Sequence, residues 1–272
     1  MRIHALAAAL AILFARSAYS AKDSCFDCHS VMEGTSVPFK DDIHYRNGIS
    51  CADCHGGDPN EDDQNISMSA QRGFKVRVAR EGMADFCGRC HSDAAVMHRY
   101  KPRGRVDQVS LYRAGVHSRP SPGRGALAAT CVDCHGIHNI RAVDDAASPV
   151  NPERLAGTCG KCHGEIEGLL RKSPHGPIFV TKAMAGCAAC HSSHATAPAS
   201  AAMLTGRDAV CARCHPPGSA GGKAAVEMAR LLTPMETAAR TEPAGPKTQT
   251  VNANLAKARV ALHAFQTPAA PK

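Results

Sequence analysis

The chain has no tryptophan, four tyrosines and seven phenylalanines in 272 residues, and a chain so short of large rings cannot bury the apolar area of an ordinary core of its size. It also lacks long apolar runs. The longest, Ala5–Phe14, covers ten residues, about half of what a membrane-spanning helix needs. The formal charge is +8, yet no run of basic residues and no alternation of basic and aromatic residues accompanies it, which argues against a nucleic-acid partner. Finally, none of the fourteen cysteines stands outside one recurring pattern, so no thiol is left for a disulfide framework or a separate nucleophile.

That pattern is Cys-x-x-Cys-His, and it occurs seven times: Cys25/Cys28/His29, Cys51/Cys54/His55, Cys87/Cys90/His91, Cys131/Cys134/His135, Cys159/Cys162/His163, Cys187/Cys190/His191 and Cys211/Cys214/His215. Two cysteines three apart can tether one porphyrin through thioethers, and the following histidine then lies under the iron, so each copy reads as a c-type haem attachment site. Paired CxxC knuckles also build zinc ribbons. That alternative gives no reason for a histidine after every second cysteine, and neither does a set of dithiol redox pairs. The expectation is seven covalently bound c-type haems.

Seven haems bring fourteen propionates, and these reverse the charge argument. A leader at 1–20 would remove Arg2 and Arg16 and leave +6. With the propionates and one positive charge for each ferric core, the oxidised holoprotein comes to about −1, so the basic surplus reads as propionate partners. Roughly 36 residues per haem are too few for separate pockets, and the haems are expected to pack on one another and form most of the core.

Eight histidines lie outside the motifs. His4 falls in the leader; His44, His98, His117, His138, His175, His194 and His263 remain, one for each iron. His138 and His194 each follow a motif histidine by three residues, a spacing that puts both rings on neighbouring parts of one helical face. Such a pair cannot clamp one iron from opposite sides, so each must reach a different haem. Met97 adjoins His98, and its thioether is an alternative axial ligand. His263 sits alone in a terminal helical segment, where a surface histidine is the plain alternative.

The motif positions also repeat. His117, Cys131, His138 and Cys159 recur as His175, Cys187, His194 and Cys211, at offsets of 58, 56, 56 and 52. This two-haem unit, at about 117–163 and 175–215, indicates serial stacking. A degenerate third copy begins at His44 and Cys51 and ends at Cys87, with Asp58 where the others carry the second histidine. Breakers such as Gly56-Gly57-Asp58-Pro59 and Pro216-Pro217-Gly218 predict short helices at the motifs, much irregular loop and almost no sheet. The acidic stretch Asp58–Gln64 reads as a solvated loop. Three parts are expected: a secretory leader at 1–20, cleaved after Ser20 or Ala21; a haem domain at 21–216; and a tail at 217–272, helical from Lys223, broken at Glu242–Pro246 and helical again over Val251–Phe265.

With the elements Val-His, Cys-Val-Asp-Cys-His-Gly-Ile-His, Thr-Cys-Gly-Lys-Cys-His and Ser-Pro-His-Gly between His117 and His194, the chain resembles the multihaem cytochromes c with doubled CxxCH motifs, in the style of class III cytochromes c. The likeness runs from Cys25 to His215. It implies a mainly α fold with short helices around a closely packed haem chain, and an exported, periplasmic or extracellular carrier with low-potential bis-histidine haems. Its partners would be redox proteins: a quinol-oxidising membrane cytochrome, a terminal reductase or an outer-membrane conduit. No integral membrane segment is expected in the mature chain. Asp58 in place of the second histidine departs from the commonest members. Two alternatives stand beside the carrier. One is a multihaem reductase of nitrite, hydroxylamine or a sulfur oxyanion with one five-coordinate haem; the other is a protomer of an extracellular haem filament.

Overall fold

The computed structural model describes residues 23–32, 37–120, 126–181, 186–206 and 209–265; the leader expected at 1–20 lies outside them. Among the described residues the chain is mainly helical and has no sheet, only an isolated antiparallel bridge between Pro120 and Leu127. No helix among these residues is long and apolar enough to cross a membrane.

The motif helices are short because the sequence caps them at both ends. Ser50 and Asp53 bracket the helix Cys51–His55: Ser50 Oγ accepts from Ala52 N–H at 3.0 Å and the Asp53 carboxylate accepts from Ser50 N–H at 2.7 Å. Thr130 and Asp133 do the same for Cys131–His135, the Asp133 carboxylate accepting from Thr130 N–H at 2.6 Å and from its hydroxyl at 2.9 Å. Such boxes satisfy donors that a helix start leaves open. The glycine after the histidine then ends each helix: Gly56 has φ 71 and ψ −162, Gly136 φ 83 and ψ −172, a region open essentially to glycine alone.

Two compact units are present. The first, residues 1–37 and 48–76, carries the first two motifs on the helices Ser24–His29 and Cys51–His55. Its acidic segment is used internally. Ser24 donates through its N–H to Pro59 O at 2.9 Å and through its hydroxyl to Glu61 O at 2.7 Å, Asp58 pairs with Arg72 at 3.4 Å, and Asp63 caps the helix Gln64–Ser67.

The second unit, residues 38–47 and 77–272, holds the other five motifs. Motif three ends the helix Met83–His91, motif six the helix Ala188–His191, and motif seven begins in a 3-10 turn, Cys211–Arg213. Motif five departs from the short-helix expectation. It lies inside Leu155–Lys172, where two helical stretches meet at a kink on His163, with φ −112 and ψ 43. The tail forms two helices, Ala220–Thr241 and Pro246–Ala261. The second begins five residues before the expected start at Val251, because a proline at the first helical position gives up a donor that would be unpaired anyway.

Among the described residues, buried apolar side chains cluster around Leu232. Leu232, Ala229 and Leu255 of the tail helices pack with Ala201, and Leu204, Met235, Ala239, Ala258 and Leu262 surround them. Buried Glu236 holds Arg259 at 2.8 Å across the two tail helices. Between residues 77 and 200, by contrast, the buried described apolar side chains are Ala84, Val109 and Leu170 alone.

One position breaks the motif punctuation. Ser192 follows His191 where Gly136 follows His135, and it adopts φ 65 and ψ 170. A side chain there costs about 1–3 kcal/mol. Ser192→Gly should therefore stabilise the holoprotein by about 1 kcal/mol or more, read as a raised thermal midpoint with unchanged haem content; an unchanged or lowered midpoint would contradict the strain.

Candidate functional site

The fourteen expected tethers differ in how far the polypeptide covers them. Cys28, Cys90, Cys162 and Cys214, the second cysteines of motifs one, three, five and seven, are exposed, whereas Cys54, Cys134, Cys190 and the seven first cysteines are half-buried.

Burial pushes the Cys51 thiol up to about 12 and raises Cys25, Cys134, Cys190 and Cys211 as well. Neighbouring thiols add to this within each motif: Cys28 raises Cys25, Cys54 raises Cys51, and Cys214 raises Cys211. Thiols of different motifs also touch. Cys87 and Cys131 share a hydrogen bond that draws Cys131 down, and the bond between Cys159 and Cys187 draws Cys187 down while pushing Cys159 up. Cys134 and Cys162 are near enough to feel one another's charge, as is Cys190 with Cys211 and Cys214. The tethering edges of motifs three to seven thus follow one another in chain order within the second unit.

Five motif histidines of that unit each face a histidine from elsewhere in the chain. His44 stands 5.9 Å from His91 between ring centroids, His117 6.3 Å from His163, His194 6.2 Å from His135, His175 5.9 Å from His215 and His263 5.8 Å from His191. Two imidazoles bonded to one metal from opposite sides through bonds of about 2 Å have centroids about 6 Å apart. Among the described residues no three or more His, Cys, Asp or Glu converge on a common point. Donors that meet in twos fit a metal whose other four ligands come from a macrocycle, and do not build a tetrahedral cage. The residues present fit haem.

The fold brings these rings together by identifiable means. Val116 N–H donates to Thr196 O at 3.0 Å, which joins the segments bearing His117 and His194. Gly221, in the first turn of the helix Ala220–Thr241, lies so close to His215 that a Cβ on it would be 2.2 Å from Nδ1. Phe265 packs against His175 with centroids 4.2 Å apart. The tail that carries His263 is therefore built onto the motif region, and His263 is not a lone surface residue.

Several rings are oriented through Nδ1, which leaves Nε2 for a metal. Nδ1 of His55 meets Lys75 O at 2.9 Å, that of His191 meets Ala197 O at 3.2 Å, and that of His263 meets Arg259 O at 2.7 Å. His44 Nδ1 meets the Asp42 carboxylate at 2.8 Å. Burial would raise the Asp42 carboxyl, but hydrogen bonds from the His44 ring and from the N–H groups of His44 and Ile140 outweigh it and hold the group below its ordinary range. Burial lowers His91, His117, His135, His175, His191 and His194, which keeps them neutral, the form a metal accepts.

His98 Nε2 meets Gly104 O at 3.1 Å. Met97 lies on the same helix, Ala94–Tyr100. His138 takes a left-handed backbone, φ 59, with its ring edge-on to Phe39 at 6.3 Å. His29 and His55 belong to the first unit, which has no other histidine among its described residues. Sequence reasoning missed Asp42, although the spacing Asp42-Ile43-His44 is a capping pattern. It also missed the carbonyls of Lys75, Ala197 and Arg259, which have no sequence signature because every residue carries one.

No curated protein and no solved structure matches the chain. Residues 43–143 and 125–216 match the cytochrome c3 family, and these two overlapping stretches cover more than half of the sequence and both complete copies of the repeat. With its tethering cysteine pairs and opposed histidines, the chain belongs to the cytochrome c3 family and is a multihaem c-type cytochrome that takes part in electron transfer.

Proposed function

We propose that this protein is an exported heptahaem cytochrome c that carries electrons along a chain of mostly bis-histidine haems, outside the cytoplasm, in anaerobic respiration on metal, sulfur or nitrogen compounds. The observation that carries this reading is the set of five opposed histidine pairs, 5.8–6.3 Å between centroids, each joining a motif histidine to one from outside the motifs. Haem, when bound, supplies a one-electron iron couple.

The chain's own residues do the rest. Each cysteine pair would fix one edge of a macrocycle, and the closeness of Cys87 to Cys131 and of Cys159 to Cys187 would bring successive attachments within reach of one another. The opposed histidines would ligate the iron from both faces, and so exclude substrate while permitting electron exchange at the edges. Arg154 and Lys161 line a cavity of about 460 Å³ beside motif five and can receive propionates. The donor and acceptor are redox proteins: a quinol-oxidising membrane cytochrome on one side, a terminal reductase or outer-membrane conduit on the other.

The hold of Gly104 on His98 favours one further reading. With His98 engaged elsewhere, one iron has an open face, and the protein becomes a reductase of nitrite, hydroxylamine or a sulfur oxyanion. Electron paramagnetic resonance of the oxidised holoprotein, quantified against pyridine haemochrome, separates the two. Seven haems with seven low-spin irons support the carrier; seven haems with one high-spin iron that binds nitrite or hydroxylamine support the reductase.

The pair His191–His263 gives a sharper test of ligation. His263→Ala should convert one iron of seven to high spin while all seven haems stay attached, since Cys187 and Cys190 are untouched. An unchanged low-spin spectrum would remove His263 from the ligand set.

A further inference from the structure

His44, which faces the motif histidine His91, has a charged group on Nδ1. The Asp42 side chain is 1% exposed. One carboxylate oxygen accepts from His44 N–H and lies 2.8 Å from His44 Nδ1; the other accepts from Ile140 N–H at 2.6 Å. Ile43 N–H donates back to Ile140 O at 2.7 Å, so the carboxylate is locked between two chain segments and cannot turn from the ring. A carboxylate receiving two backbone N–H bonds is held ionised. The nearby guanidinium groups of Arg46 and Arg141 do not neutralise it, since they pair with Asp41 and Asp145. Its charge falls on the His44 ring. His191 and His263, by contrast, meet the neutral carbonyls of Ala197 and Arg259.

We propose that Asp42 is a positioning residue that lowers the potential of the haem held between His44 and His91. A buried carboxylate on Nδ1 raises the basicity of the ligating nitrogen and favours the oxidised, more positive iron. The inference rests on His44 and His91 being the two axial ligands.

The test is a redox titration of the holoprotein followed by electron paramagnetic resonance, comparing the native chain with Asp42→Asn. Asparagine keeps the capping oxygen and removes the charge. The expected result is seven haems, an unchanged spin state, and one midpoint raised by about a tenfold change in its reduction equilibrium, 59 mV for a one-electron couple. A titration in which no midpoint rises overturns the proposal. So does conversion of one iron to high spin without a shift, which would mean that Asp42 only shapes the backbone. A second measurement assigns the midpoint. In nuclear magnetic resonance followed through the titration, the haem whose axial histidine contacts Ile43 should be the one that shifts in the variant, and a shift at another haem also overturns the proposal. His44→Ala separates this failure from failure of the ligation reading, because an unchanged low-spin count in that variant removes His44 as a ligand altogether.

Discussion

An iron ligated by a histidine next to its own tether cannot take its second histidine from the same turn of chain, because the second ring must stand on the opposite face. The facing histidines of the second unit are arranged as this requirement demands. Its five facing pairs join residues 40 to 72 positions apart, from His175–His215 to His191–His263. Each brings two distant segments side by side. Backbone hydrogen bonds accompany the pairs, as where Val116 N–H meets Thr196 O beside His117 and His194.

The distribution of apolar side chains differs along the chain. Among the described residues, few apolar groups are buried where the histidine pairs lie, whereas the tail helices and Ala201–Leu204 form a conventional cluster around Leu232 and Leu255. The tail is held by apolar packing. It also delivers His263 to His191, and the buried Glu236–Arg259 pair fixes the helix from whose end that histidine projects.

The pairs also explain the internal repeat. The leading histidine of each copy faces the last motif histidine of that copy: His44 with His91, His117 with His163, His175 with His215. The degenerate first copy obeys the rule despite Asp58. The second histidine of the last copy, His194, reaches back to the first motif of the copy before it, at His135. His263 does for His191 what a following copy would do. A two-haem unit can thus be extended serially, with the tail closing the open end.

Much of this was legible in the chain itself. The covalent chemistry is local: Cys, Cys and His at fixed spacing specify a tether and a ligand whatever surrounds them, and so do Ser50 with Asp53 and Thr130 with Asp133 as helix caps. The periodicity of His117, His138, His175 and His194 marked the outlying histidines as a set, and the breakers ruled out long helices nearly everywhere. The run through motif five escaped notice because helicity there bends at His163 without ending. What the sequence determined by itself is the inventory: seven CxxCH motifs, the histidines outside them, and short helices at most of the motifs. Only the tertiary structure decided which histidine faces which, that His98 turns to Gly104, and that His44 carries a buried carboxylate on its ring. These are relations between segments distant along the chain, and no local pattern encodes the distance between two rings that folding brings to about 6 Å.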